Sequence, residues 1–388
     1  MDEASLRPGS RRNLLFTVDM FTCKLPKMQC GLTVRVLIIA DDLTGALDSA
    51  VTLTGTGLRC VVARRPSDVA AALRREPGIL AVNTASREGS ATAARATVSA
   101  ALDAVGRVPK IVFKKVDSRL KGHVADEVAV FAERSARTRA LVAPAVPAQG
   151  RTVSGGFLTG TGVAAPIDVA RAVAASGLLL KVPDTRDDVD LDTALERVSD
   201  GTPTLLVGAA GLAAAVARRL SPGSRSAVPT VRGPILLAIG SHDPITLAQV
   251  ERLASREDVT IETAPDGACP PASGGEAGRL IRLVPSERRP FDAKAVGGRF
   301  AAEVAQLVRS GGFRTVLACG GETADAILGA LGQGVLDIEG EILPGVPVSS
   351  MVIGEERLQL VTKSGGFGAE DALVSVIDAA IGGLEGAQ

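Results

Sequence analysis

Two acids stand together at Asp41-Asp42, directly after the apolar run Val36 to Ala40 and before Thr44-Gly45. Five apolar residues are too few for a helix and read as a buried strand, so the pair marks a strand end. In an open α/β sheet the strand ends open into the ligand crevice. One aspartate can cap the helix that follows, leaving the other for chemistry. Neighbours on a strand point opposite ways, so one is expected to face a substrate. Asp42, one step further into the loop, is preferred to Asp41. A second group, Lys114, Lys115, Asp117, Ser118, Arg119, Lys121 and His123, crowds the end of another strand, and Arg151 follows in a glycine-rich stretch. Cations with hydroxyls and carboxylates suit a small polyhydroxy acid: the cations hold its carboxylate and the acids accept from its hydroxyls. A solvated charge cluster is the plainer alternative.

The second half of the chain carries a different chemistry. Gly240-Ser241, Gly320-Gly321-Glu322-Thr323 and Lys363-Ser364-Gly365-Gly366 each follow an apolar run. Glycine lets backbone N–H groups approach an anion, a helix N-terminus favours phosphate, and Lys363 adds a point charge. One such turn is ordinary; three in one half-chain point to a phosphate cradle, although the P-loop pattern is absent. His242-Asp243 could suggest a metal pair, but with no further histidine nearby it reads as a helix start.

These groups are positioned by alternating strands and helices. Strands are expected at Leu58 to Ala63, Ile79 to Asn83, Lys110 to Lys115, Ala140 to Ala143, Leu178 to Val182, Thr204 to Val207, Ile235 to Ile239 and Thr315 to Cys319. Helices are expected at Ser67 to Arg75, Ala91 to Val105, Val124 to Arg134, Leu191 to Val198, Ala293 to Arg309 and Ala324 to Leu331, among others. Pro144 to Gly162 reads as a long functional loop. The fold class is α/β, with two α/β domains of mainly parallel sheets and an active-site cleft between them. The first domain spans 34–220, a Ser/Pro/Gly-rich linker 221–233, and the second domain 234–388. Residues 1–33 have no steady period and are expected to be a disordered extension. Ser10-Arg11-Arg12 with Leu14-Leu15 is like a twin-arginine signal, but Asp19, Lys24 and Lys27 interrupt the apolar region such a signal needs.

The 388 residues carry no net charge and no Tyr or Trp, which argues against nucleic acid as a partner. No apolar stretch is long enough for a membrane span. The five cysteines lack metal spacing and read as free thiols in a cytoplasmic protein.

Six motifs then occur in order: ADDLTGA at 40–46, KKVDSRLKG at 114–122, APAVPAQGRT at 143–152, GGETADAIL at 320–328, GEILPGVP at 340–347 and TKSGGFG at 362–368. Together they resemble the four-carbon acid sugar kinases, over about residues 34 to 380. The resemblance implies a sugar-acid-binding N-terminal domain and a nucleotide-binding C-terminal domain. It also implies ATP-dependent phosphorylation of threonate, erythronate or a 3-oxo-tetronate at the terminal hydroxyl. It places the nucleotide around Ser241, Gly320 to Ala324 (Gly320, Gly321, Glu322, Thr323, Ala324) and Gly365 or Gly366. Where many members carry DSTLRGN, this chain has DSRLKGH at 117–123, which bears on the particular substrate.

On this reading Lys115, Ser118, Arg119, Lys121 and Arg151 bind the acid. One of Asp42, Asp41 and Asp117 orients the attacking hydroxyl and takes its proton, and Lys363 assists the phosphates. The cofactors are ATP and Mg²⁺; Glu322 and Asp371 are candidate ligands, with the metal site otherwise open. The partner is a small sugar acid, and association into a homo-oligomer is left open. A nicotinamide dehydrogenase is disfavoured because ADDLTG stands where GxGxxG would be. A non-catalytic nucleotide or sugar-acid sensor, or a kinase for another small hydroxy acid, is the alternative.

Overall fold

The first strand, β1 (Val36–Ala40), is fully buried, and its side chains divide by parity. Val36, Ile38 and Ala40 enter one core, and Leu37 and Ile39 enter another. A strand read this way must have both faces covered, as in a parallel sheet. The computed structural model describes residues 34–174, 177–223, 228–271, 278–285 and 292–385. The expected extension 1–33 lies outside them.

The N-terminal half supplies β2 (Cys60–Ala63), β3 (Ile79–Asn83), β4 (Ile111–Lys115), β5 (Arg139–Ala143), β6 (Arg151–Ser154), β7 (Phe157–Gly160), β8 (Ile167–Asp168), β9 (Leu179–Lys181) and β10 (Thr204–Gly208). Between them run α1 (Leu43–Val51), α2 (Val69–Leu73), α3 (Ala91–Val105), α4 (Val124–Arg134), α5 (Val169–Val173), α6 (Asp188–Glu196) and α7 (Ala210–Leu220). The C-terminal half supplies β11 (Ile235–Ile239), β12 (Val259–Pro265), β13 (Gly278–Val284), β14 (Thr315–Cys319), β15 (Val335–Leu343), β16 (Val346–Ile353) and β17 (Glu356–Lys363). Its helices are α8 (Pro244–Leu253), α9 (Ala293–Arg309), α10 (Gly321–Leu331) and α11 (Ala372–Glu385).

Strands β2-β3-β1-β4-β10-β5-β9 form one parallel array, and β12-β13-β11-β14-β17 form another. The meander β15-β16-β17 joins them, because β15 pairs antiparallel with β2 through Val335↔Ala63, Leu336↔Val62 and Asp337↔Val61. The result is a single 14-stranded sheet. Helices α1, α6, α7, α9 and α10 bury their apolar sides in one core that runs under both halves. Helices α2 to α5 cover the opposite face of the first half, and α8 and α11 that of the second. Charge pairs clasp the joint. Arg59 and Arg75 bind Asp337, and the buried Arg64 reaches Asp325 at 2.9 Å and the Gln333 carbonyl at 3.1 Å. No helix among the described residues is long and apolar enough to cross a membrane.

Three features differ from the sequence reading. Residues 144–162 are not a structureless loop: a 3-10 turn at Pro147–Gln149 leads into the hairpin β6–β7, which with β8 forms a three-stranded sheet. Gly155 and Gly156 both have positive φ, 57° and 83°, which suits a two-residue hairpin turn. Val153 and Leu158, fully buried and paired across the strands, anchor it. Strands β12 and β13 also escaped notice. Their apolar residues are interrupted by Glu262, Arg279 and Arg282, and Arg279 is buried only because it binds Glu262 and the Pro270 and Pro271 carbonyls. Lastly, the end of the expected linker is packed. Val231 is fully buried, and Gln359 takes the Arg232 N–H and donates to the Thr230 carbonyl.

Candidate active site

Because the strands are parallel, β1, β3, β4 and β10 end on one edge; Ala40 stands beside Asn83 and Lys115, and Gly208 beside Lys115. The chain leaves β1 through Asp41, which is 2% exposed. Arg87, from the loop after β3, grips Asp41 with two hydrogen bonds of 2.9 Å. The same guanidinium contacts Asp42 at 2.8 and 3.0 Å and stands 3.8 Å from Asp117. Burial raises the Asp41 carboxyl, but the Arg87 hydrogen bond and the charges of Lys114, Lys115 and Arg87 outweigh it, holding the group below the ordinary aspartate value. Arg87 is shifted the other way: burial disfavours its charge, yet the three acids raise its pKa. Asp42 caps α1 by accepting from the Gly45 N–H at 2.9 Å, and it also takes the Thr44 hydroxyl at 2.5 Å. Capping and the cleft therefore meet in one residue, while Asp41 is the buried partner of Arg87. Lys114 is fully buried and paired at 2.9 Å with Glu127, itself buried beside Ser86.

Beyond Lys115 lies a cationic end. Arg151 donates to Ser118 and Gln149 at 2.7 Å each and to the Thr161 carbonyl at 2.9 Å. Among the described residues the Arg119 side chain reaches the Gly162 carbonyl, at 3.5 Å. Burial, then the nearby Arg119 charge, lower the pKa of Arg151, with Asp117 opposing; an anion between the two would relieve both. Asp42, Lys115, Asp117, Ser118, Arg119 and Arg151 all line one cavity of about 360 Å³. Lys121 does not: it is exposed and outside that lining. His123 is likewise turned away, to the Gly89 carbonyl at 2.6 Å.

The C-terminal half meets the same cavity through Asp243, Gly345, Ser364, Gly366 and Phe367. Strands β11, β14 and β17 are neighbours in parallel, so their three glycine-rich ends converge. A side chain at Gly365 would stand 2.1 Å from Ser241 Oγ, and one at Gly240 would stand 2.0 Å from Thr323 Oγ1. Only glycine permits this approach, which leaves a cradle floored by backbone at the N-terminus of α10. Thr246 ties it by donating to the Gly365 carbonyl at 2.7 Å. A second cavity, of about 420 Å³, adjoins the first and is lined by Asp41, Asp42, Thr44, Arg87, Gly321, Glu322 and Ser364. Ala324 is buried in α10 beneath it.

Lys363 is 1% exposed and lies behind the loop, donating to the Ser364 carbonyl at 3.0 Å; burial lowers its pKa. It holds the loop in place and does not line either cavity. Asp371 lines neither cavity as well, and Asp243 caps α8. No group of three or more metal-ligating side chains occurs among the described residues. Glu322 remains as a carboxylate at the cradle, a donor set that suits a Mg²⁺ carried largely by waters and phosphate oxygens.

Two cleft residues escaped the sequence reading. Arg87 sits in SREG with no neighbouring charge pattern, and the signal available was its place after a strand next to β1. Asp48 follows Gly45 by three positions on α1 and so shares its face. It lines the first cavity, and its carboxyl is pushed up to about 7. Burial is the main cause, with Asp42 and Glu341 adding and Lys115 and Arg87 opposing.

Residues 36–172 match the family model of a sugar-binding N-terminal domain, and residues 281–373 that of a nucleotide-binding C-terminal domain. The chain is 30% identical to the D-threonate kinase of Cupriavidus necator, covering 87% of this chain and 96% of that protein. It is 28% identical to the D-threonate kinase of Salmonella typhimurium, with 88% and 97% covered. It is also 28% identical to the 3-oxo-tetronate kinase of Pseudomonas fluorescens, with 89% and 97% covered. Among solved structures, a protein of Salmonella typhimurium LT2 superposes with a TM-score of 0.71 at 20% identity, over 89% of this chain and 98% of that one. A Haemophilus influenzae protein does so with a TM-score of 0.67 at 23% identity, over 89% and 99%. At these identities the two share the fold.

Proposed function

The chain belongs to the four-carbon acid sugar kinase family, and from that premise we propose that it transfers the terminal phosphoryl group of ATP to the terminal hydroxyl of a four-carbon sugar acid. D-threonate is the first candidate, since the relatives that match at 30%, 29% and 28% identity are D-threonate kinases. The observation that carries the reading is a cavity lined from both halves, by Lys115, Arg119 and Arg151 on one side and by Ser364 and Gly366 of one glycine-rich turn on the other, adjoined by a second cavity that reaches Gly321 of another turn.

Residues 34–220 take the acid and residues 234–388 the nucleotide. Arg119 and Arg151, with Ser118 and Lys115, hold the substrate carboxylate. Lys121 steers anions from outside through its charge alone. Asp117, which accepts from the Arg119 N–H at 2.9 Å and keeps room for more, binds substrate hydroxyls. Asp41 and Asp42, locked by Arg87, form the rigid wall that orients the attacking oxygen. ATP is held around Ser241, Gly320 to Ala324 and Gly365-Gly366, where the glycine cradle fits phosphate, and it supplies the group transferred. Glu322 would be the protein carboxylate that holds a Mg²⁺, which when bound would neutralise phosphate charge. Phosphoryl transfer asks a protein mainly for positioning and charge stabilisation, and this arrangement offers both. The test is ADP release on a panel of four-carbon acids. Release that depends on D-threonate or a close relative supports the reading, and ATP binding without release on any of them would leave a sensor.

A further inference from the structure

The carboxylates of the cleft differ in how fully they are occupied. Each offers about four acceptor positions. Asp42 accepts the Gly45 N–H, the Thr44 hydroxyl and one Arg87 N–H, and a second Arg87 nitrogen stands in ion-pair contact with it at 2.8 Å. Asp41 is taken on both oxygens by Arg87. Asp117 receives the Arg119 N–H at 2.9 Å and the Lys121 N–H at 3.5 Å and pairs with Arg87 at 3.8 Å, and Asp243 receives the Ile245 N–H. Asp48 lines the same cavity with no hydrogen bond or ion pair among the described residues. Hydrogen bonds to a carboxylate stabilise its charged form, and with the nearby cations they hold Asp41 below the ordinary aspartate value, which makes it a poor proton acceptor.

We propose that Asp48 is the catalytic residue that takes the proton of the attacking hydroxyl; this rests on the kinase reading above. Asp48 lies on α1, three residues past Gly45 and four past Thr44, on the face those two present to the cavity. The charged groups that bear on it are Lys115 from β4, Glu341 from β15, Asp42 at the head of α1 and Arg87 from the loop after β3. Lys115 stabilises the ionised form, while Asp42 and Glu341 make it more basic. A base poised near neutrality is in the effective range for proton transfer, and this carboxyl is pushed up to about 7. In the step, the substrate O–H bond breaks and its proton passes to an Asp48 oxygen. The freed electron pair forms the bond to the terminal phosphorus of ATP, whose bond to the bridging oxygen breaks and leaves its electrons on ADP. Asp48 then returns the proton to solvent.

The experiment compares the wild type with Asp48→Asn and Asp48→Glu on D-threonate across the pH range. In the wild type, kcat rises with pH along an acid limb near neutrality. In Asp48→Asn, kcat falls by about 100-fold or more and the limb disappears, while both KM values stay within a few-fold. Asp48→Glu restores the limb and part of the rate. Melting temperatures identify any variant that has lost its fold, in which case Asp48→Glu decides. An Asp48→Asn enzyme with kcat near wild type, or with its acid limb intact, would overturn the proposal and leave the kinase reading standing. A wild-type protein inert on every four-carbon acid would overturn both.

Discussion

Arg87→Met tests how the acidic wall is held. The substitution keeps most of the side-chain volume and removes the charge that ties Asp41, Asp42 and Asp117 together. Asp41, at 2% exposure, is left as a buried carboxylate without its partner. Breaking a buried pair in this way costs about 3–5 kcal/mol, which for a chain of this size lowers Tm by about 4–6 °C. The pH dependence has a definite sign. In the wild type the Asp41 pKa is lowered, so its stabilisation is present above the ordinary value of 3.8 and is lost as pH falls through the lowered one. Without Arg87 the burial effect is opposed only by Lys114 and Lys115, and the pKa moves up. The deficit of the variant is therefore larger at pH 8 than at pH 5. Thermal unfolding at both values, with Asp41→Asn and the double variant, closes a cycle. Asp41→Asn should recover about 1 kcal/mol or more in the Arg87→Met background, because the two residues touch. A Tm within about 2 °C of wild type at pH 8, or no recovery in the double variant, would show that Arg87 does not hold Asp41 as a buried charge pair.

Other outcomes separate the two ends of the cleft. Arg151→Ala removes a partner of Ser118 and Gln149 and should raise KM for the sugar acid by about 10- to 100-fold with KM for ATP unchanged, as steady-state kinetics in both substrates will read. Gly365→Ala puts a methyl group 2.1 Å from Ser241 Oγ and should raise KM for ATP by about 10-fold or more while sparing the sugar-acid KM.

Most of the frame was legible because its strands are short, apolar and fully buried. Helices Ala91–Val105 and Val124–Arg134 match their expected limits. The convergence of Gly240, Gly320 and Gly365 could also be foreseen, since each ends an apolar run and parallel strands end on one edge. Residue type could not reveal burial. Lys363 and Lys114 both read as available charge, yet one lies behind its loop and the other is paired with Glu127. The hairpin at 151–160 was hidden by its glycines, which suggest a loop until the Val153–Leu158 pair is known to be buried. Arg87 and Asp48 depend on which strands are neighbours, and a linear sequence carries that information only weakly.

On the proposed function, one cleft joins a sugar acid to ATP for transfer at the terminal hydroxyl. Proton-coupled phosphorus NMR of the protein with ATP and D-threonate tests it directly. ADP and a new phosphomonoester signal split by the two protons of a terminal CH₂–O group are expected. A signal split by a single proton, or ADP formed without any phosphomonoester, would contradict it.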